Sequence, residues 1–146
     1  MKVKWILRVA ALAVLFFAVG HSVGHFTRKA NTDPQAVAVY QAMEGYKFPI
    51  GPQMRSYDEF YEGMSLNLIV TLLAFTVLLW ILSGVASRNS EISRQILWPI
   101  VLCLAAFAAT SWVYFFIVPA ITCVIASLLV LVAILLLKKE GSSRTA

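Results

Sequence analysis

Four long apolar blocks separated by short polar segments dominate this chain of 146 residues. The blocks lie at about 5–25, 64–84, 96–115 and 118–137, and a helix needs roughly 20 residues to cross the hydrocarbon layer of a membrane. Their apolar residues are continuous, without the spacing of a half-buried strand or a soluble helix. The pattern predicts an all-α fold, an integral membrane four-helix bundle formed by a single transmembrane domain over 1–146, with a flexible cytoplasmic tail at 138–146.

The composition agrees with membrane insertion. Hydrophobic residues make up 60% of the chain and charged residues 13%, whereas about a quarter of a soluble domain is charged. The net charge is +5, but the basic residues form no surface with interleaved aromatics, which argues against nucleic acid as a partner.

The distribution of lysine and arginine predicts the orientation. The two termini and the loop after the second block hold Lys2, Lys4, Arg8, Arg88, Arg94, Lys138, Lys139 and Arg144. The segment between the first and second blocks holds Arg28, Lys29, Lys47 and Arg55. Because cytoplasmic segments carry the excess of positive residues, we expect both termini in the cytoplasm and the long polar loop outside.

The first block also has the features of a secretory signal peptide, with a basic start and a candidate cleavage site at Ala18-Val19-Gly20. We favour a retained first span, because Trp5 extends the apolar run at one end and Phe26 continues it at the other. Cleavage, the alternative, would leave three spans and a new N-terminus at His21.

The loop between the first two spans is predicted to contain a short amphipathic helix. Asp33 is a typical N-cap, Pro34 suits the first helical position, and Gly45 supplies a stop signal. A stiff turn at 48–52 then returns the chain to the second long helix. Ser56 and Glu59 have the spacing of a capping box, so that helix is expected to begin before its apolar block.

Two histidines lie at the end of the first block. His21 and His25 are four residues apart and therefore share a helical face, where they could hold a metal or serve a haem or a proton path. We favour a hydrogen-bonded interface instead, because local spacing fixes no further ligand. Gly20 and Gly24 form a GxxxG pattern that would let a neighbouring helix approach closely.

The candidate site is a ligand-binding pocket or a polar clasp made of His21, His25, Arg55, Tyr57, Asp58, Tyr61 and Glu62. Antiparallel packing of the first two long helices would bring these residues to one depth. A buried charge is costly unless it is paired. We therefore expect one of the histidines to contact Asp58 or Glu62, and Arg55 to neutralise Asp58 or Glu59.

The two cysteines, Cys103 and Cys123, lie in separate apolar blocks without a CxxC pattern. Counting helical rise places them at different depths in the membrane. We expect two free, buried thiols that act as packing residues.

Several short motifs together resemble a family of small bacterial four-span membrane proteins of uncharacterised function. They are Gly20-His-Ser-Val-Gly-His25, Tyr46-Lys-Phe-Pro49, Arg55-Ser-Tyr-Asp-Glu-Phe-Tyr61 and Ser111-Trp-Val-Tyr-Phe115. The resemblance covers most of the chain and implies a four-helix architecture in a bacterial inner (plasma) membrane. It implies no activity, substrate or cofactor.

Three functions compete. The protein is a structural or assembly subunit, a binder of a lipid, quinone or other small ligand, or an enzymatic or redox component that uses His21 or His25 with a carboxylate. The enzymatic reading is weakest, because the sequence has no nucleophile motif, phosphate loop or complete metal set. No cofactor is required by the sequence. The expected partners are the lipid bilayer and either further copies of the chain or a larger membrane complex.

Overall fold

The computed structural model describes residues 2–142, and the side chains of residues 2–137. The elements in chain order are α1 (Lys2–Thr27), a short 3-10 turn (Arg28–Ala30), α2 (Pro34–Gly45), β1 (Lys47–Ile50), β2 (Gln53–Ser56), α3 (Tyr57–Val85), α4 (Ser90–Tyr114) and α5 (Ile117–Ser142). Over the described range, α1, α3, α4 and α5 are long and apolar enough to cross a membrane. The predicted all-α class and the four apolar helices are confirmed.

The short helix α2 begins where the sequence predicts. The Asp33 carboxylate accepts hydrogen bonds from the backbone N–H groups of Gln35 (2.9 Å) and Ala36 (3.1 Å), and Pro34 occupies the first turn, where its missing N–H costs nothing. The helix ends at Gly45. Its start is therefore fixed by contacts within four consecutive residues.

The long helix α3 begins with the expected capping box. The Ser56 hydroxyl accepts from the backbone N–H of Glu59 at 3.2 Å, and the Glu59 carboxylate accepts from the backbone N–H of Ser56 at 2.7 Å. These two bonds satisfy donors that the first turn of a helix leaves unpaired. As predicted, α3 starts at Tyr57, ahead of its apolar block.

A two-stranded antiparallel hairpin precedes α3, and only its turn was predicted. Lys47 pairs with Ser56 and Ile50 with Gln53. Gly51 adopts a φ of 55°, the sign required at the first central position of a type II′ turn, and the fixed φ of Pro52 suits the second position. The hairpin delivers the chain directly to the Ser56 cap.

The structure divides into two compact units, one of residues 18–71 and one of residues 1–17 with 72–146. In the second of these, fully buried leucines from several helices form the core, among them Leu7, Leu79, Leu97 and Leu104. The helices α4 and α5 form an antiparallel pair with buried alanines such as Ala108 and Ala120, since small residues allow close helix approach. α5 continues through residues 138–142 of the predicted tail, and residues 143–146 lie outside the described residues.

Two predictions about small side chains need correction. Cys103 and Cys123 are both free thiols, as expected, but Cys103 is exposed while Cys123 is buried. The buried positions of α4 follow a helical stripe through Leu97, Leu104 and Ala108, and Cys103 lies off that stripe. The prediction of two buried thiols was wrong for Cys103.

The glycine pattern does not mark a close helix contact within the described residues. Gly20 and Gly24 are exposed, and a Cβ placed on either would meet no described atom within 4 Å. The buried side of α1 runs instead through Val14, Ala18 and His25. The glycines lie off this side of the helix, so the predicted close approach was wrong.

Candidate functional site

The polar cluster of the 18–71 unit is centred on Asp58, the second residue of α3. The residue is only 5% exposed. Its Oδ1 accepts a hydrogen bond from Arg28 Nη1 at 2.6 Å, and its Oδ2 accepts one from Lys29 Nζ at 2.8 Å. Each carboxylate oxygen thus has its own cationic donor, the type of hydrogen bond that is shorter and stronger than a neutral one.

Both cations make further contacts. Lys29 also bonds the carboxylate of Glu44 on α2. The Arg28 guanidinium lies 4.9 Å from the centre of the Tyr61 ring, within cation–π range, and its Nη2 is 4.0 Å from a carboxylate oxygen of the half-exposed Glu62. The 3-10 turn after α1 is therefore joined to both α2 and α3.

A second group joins α1 to α3 through one hydroxyl. Ser65 Oγ lies 2.9 Å from His25 Nδ1 and 2.9 Å from His21 Nε2. His25 and Ser65 are both buried, and the His25 ring also meets Phe26 edge-on at 4.8 Å. Because a serine hydroxyl carries a single hydrogen, it can donate to only one of the two rings and must accept from the other if both contacts are hydrogen bonds.

The predicted pairing of a histidine with Asp58 or Glu62 is replaced by these two groups. Along α3, Ser65 lies two turns after Asp58, about 10 Å by helical rise. Towards the end of α1, His21 precedes Arg28 by seven residues, a similar distance, and His25 precedes it by three residues. Antiparallel packing therefore sets Arg28 beside Asp58 and the histidines beside Ser65. The helix ends do meet as expected, but Arg28 replaces the histidines as the partner of Asp58, a displacement of about two turns from His21 and one turn from His25.

Arg55 and Tyr57 belong to neither group. Arg55 Nη1 lies 3.4 Å from Glu59 Oε1 and Nη2 donates to Gln53 Oε1 at 2.6 Å, so its predicted neutralisation of Glu59 is confirmed. Tyr57 stacks on Tyr46 with ring centres 5.8 Å apart. It also meets Phe48 of the hairpin at 4.9 Å, as part of an aromatic group outside the ion pairs.

Sequence reasoning missed four residues of the cluster, namely Arg28, Lys29, Glu44 and Ser65. In the sequence, Arg28 and Lys29 serve as orientation signals, but a basic pair at the end of α1 also lies near the acidic start of an antiparallel α3, and this signal points to their pairing with Asp58. Ser65 gave no usable signal, since isolated serines are common in apolar helices.

The chemistry of the cluster is ionic and hydrogen-bonding. Among the side chains described, those of residues 2–137, no three His, Cys, Asp or Glu come together as a metal-binding set. His21 and His25 each direct one ring nitrogen to Ser65, a hydrogen-bonded interface of the kind favoured from the sequence, and metal binding by the pair stays the untested alternative.

Comparison of the chain with protein-family models, curated proteins and solved structures gave no match. The resemblance to a family of small four-span membrane proteins therefore stays a prediction.

Proposed function

We propose that the protein is an integral membrane protein of the bacterial inner membrane with four spans and cytoplasmic termini, and that it acts as a structural or assembly subunit. The four apolar helices and the bias of lysine and arginine support the topology. Reporter fusions at Gly45 and at the C-terminus test it, and a C-terminal reporter active outside the cytoplasm would overturn it.

One observation carries the structural role: the buried Asp58 carboxylate is bonded by both Arg28 and Lys29. Arg28 and Lys29 neutralise the charge of the carboxylate, and each of its two oxygens already accepts a hydrogen bond. A carboxylate held in this way positions the segments that carry its partners, and it is poorly placed to abstract a proton or receive a cationic ligand. The cluster thus functions as a polar clasp that fixes the 3-10 turn and α2 against the start of α3.

The experiment compares Asp58→Asn with Glu62→Gln in detergent-solubilised protein. Each change removes one negative charge from the same helix, but only Asp58 is buried and doubly bonded, while the Glu62 side chain is 52% exposed. Under the clasp proposal, Asp58→Asn lowers the unfolding temperature and abolishes any larger complex seen on native gels, and Glu62→Gln changes neither. Equal stability of the two variants would contradict the proposal.

The histidine group supports a second candidate function, the binding of a redox or lipid-soluble ligand. Ser65 links two imidazoles into a continuous hydrogen-bonded chain between helices, an arrangement suited to proton movement beside a quinone or haem. Its test is the absorption spectrum of protein purified from native membranes. A chromophore lost in Ser65→Ala but kept in Thr71→Val favours this function, because Thr71 bonds only its own helix, at Asn67 O. A colourless wild-type protein counts against a haem or flavin.

A further inference from the structure

Arg8 is held between two tryptophans in the unit formed by residues 1–17 and 72–146. Its guanidinium carbon lies 5.2 Å from the ring centre of Trp5 and 4.8 Å from that of Trp80. Both distances fall within cation–π range. The contact also sets the beginning of α1 beside the last turns of α3, so that these two helix ends lie together.

The tryptophans do not satisfy the hydrogen bonds of this arginine. The N–H groups of a guanidinium point outward in its own plane, whereas a stacked ring covers only its face. Arg8 Nε is buried and has no hydrogen-bond partner among the described residues. Inside a membrane span, a charged guanidinium with an unpaired N–H raises the free energy of the folded protein, and a negatively charged partner would lower it.

Protein carboxylates are scarce at this end. α4 follows α3 after a short loop, and among the described side chains of this unit Glu91 is the only carboxylate. Glu91 lies 3.8 Å from Arg94 Nη1, and Arg94 Nε is also buried without a hydrogen-bond partner in the described range. The same end carries Lys2, Lys4 and Arg88, so its charge is strongly positive.

We propose that Arg8, framed by Trp5 and Trp80, binds the phosphate of an anionic phospholipid headgroup. The proposal rests on the membrane insertion proposed above. A guanidinium presents paired N–H donors that match two phosphate oxygens, and tryptophan favours the depth of the headgroups. Basic pockets between helices on the cytoplasmic side are suited to anionic headgroups. Because Nε is buried, the phosphate contacts the terminal N–H groups of Arg8, and it supplies the negative charge that the described carboxylates of this unit do not provide.

The experiment measures lipid binding by detergent-solubilised full-length protein, with phosphatidylglycerol as the anionic probe and phosphatidylcholine as the zwitterionic one. The variants are Arg8→Gln, Trp80→Leu and the matched control Lys4→Gln, which removes the same charge from an exposed residue of the same helix. Native mass spectrometry counts the lipids retained, and a titration gives the affinity.

The wild type is expected to prefer phosphatidylglycerol, and Arg8→Gln to weaken that binding by about tenfold or more, because a charge-assisted hydrogen bond is lost. Trp80→Leu weakens it as well, and Lys4→Gln leaves it nearly unchanged. Should Arg8→Gln fail to unfold cooperatively, Trp80→Leu decides the matter. Equal losses for Arg8→Gln and Lys4→Gln would show diffuse charge attraction and overturn the site.

A parallel titration with inorganic phosphate shows whether the bound phosphate group comes from a lipid headgroup or from free phosphate. Displacement of phosphatidylglycerol by inorganic phosphate at similar concentration would overturn the lipid as the ligand. A different result would contradict the proposal of membrane insertion, namely recovery of the protein in solution without detergent. The two proposals are therefore tested separately.

Discussion

The Arg28–Asp58 pair allows the clasp to be measured as a coupling energy. The perturbation is a double-mutant cycle of Arg28→Gln, Asp58→Asn and the combined variant. The two side chains are 11% and 7% exposed, so water screens their attraction little. Lys29, the second partner of Asp58, has a side chain that is 43% exposed, and Lys29→Gln serves as the matched control.

The expected magnitudes follow from this difference in exposure. Removing one partner of a buried ion pair costs about 3–5 kcal/mol. We expect about 3 kcal/mol for each single change, since Lys29 still bonds Asp58, and Glu62 and Tyr61 still contact Arg28. Lys29→Gln should cost about 1 kcal/mol or less. The combined variant should lose about 4 kcal/mol, less than the two single losses together, because the second change removes a charge already left unpaired.

The assay is thermal unfolding in detergent, followed by circular dichroism. For a chain of this length, a loss of about 3 kcal/mol corresponds to a decrease of roughly 6–12 °C in Tm. The single variants should show this decrease and Lys29→Gln a far smaller one. If Asp58→Asn and Lys29→Gln lower the Tm equally, or if the two single losses simply add, Arg28 and Asp58 do not act as a buried pair.

Two substitutions and one labelling experiment test local features of the structure. Ser56→Ala removes the cap of α3 and should cost about 1 kcal/mol, while Ser87→Ala in the exposed loop before α4 should cost far less; equal effects in thermal unfolding would contradict the role of the cap. Gly24→Ala should raise stability by up to about 1 kcal/mol, because alanine favours a helix and the space for its Cβ is open; a large loss would reveal a close contact at this position. In detergent, Cys103 should react with N-ethylmaleimide, while Cys123 should react only after unfolding. Mass spectrometry of the digested protein identifies the labelled cysteine, and labelling of Cys123 before Cys103 would contradict this difference in exposure.

The features that could be predicted from the sequence are those fixed by neighbouring residues. The start of α2 depends on Asp33 and the residues directly after it, and the start of α3 on the reciprocal bonds of Ser56 and Glu59. The long apolar helices could also be predicted, because the length and composition of each apolar run are enough to indicate a helix that can cross a membrane.

The features that could not be predicted depend on how separate segments align. The hairpin needs two four-residue strands to pair, and strands this short carry too little alternation to be recognised. The partners of Asp58 depend on the relative depth of α1 and α3. A displacement of two helical turns exchanges His21 for Arg28, and no local pattern specifies this displacement.

When His21 and His25 are both neutral, the hydroxyl of Ser65 couples the tautomers of the two rings beside it. If its hydrogen is donated to His21 Nε2, then His21 carries its proton on Nδ1, and His25 must donate from its own Nδ1. If the hydroxyl instead points to His25 Nδ1, both rings carry the proton on Nε2. In either direction the two imidazoles share the same tautomer, so that rotation of one serine hydroxyl must accompany a change in both rings. A nitrogen-15 spectrum that reports one histidine would therefore report the other.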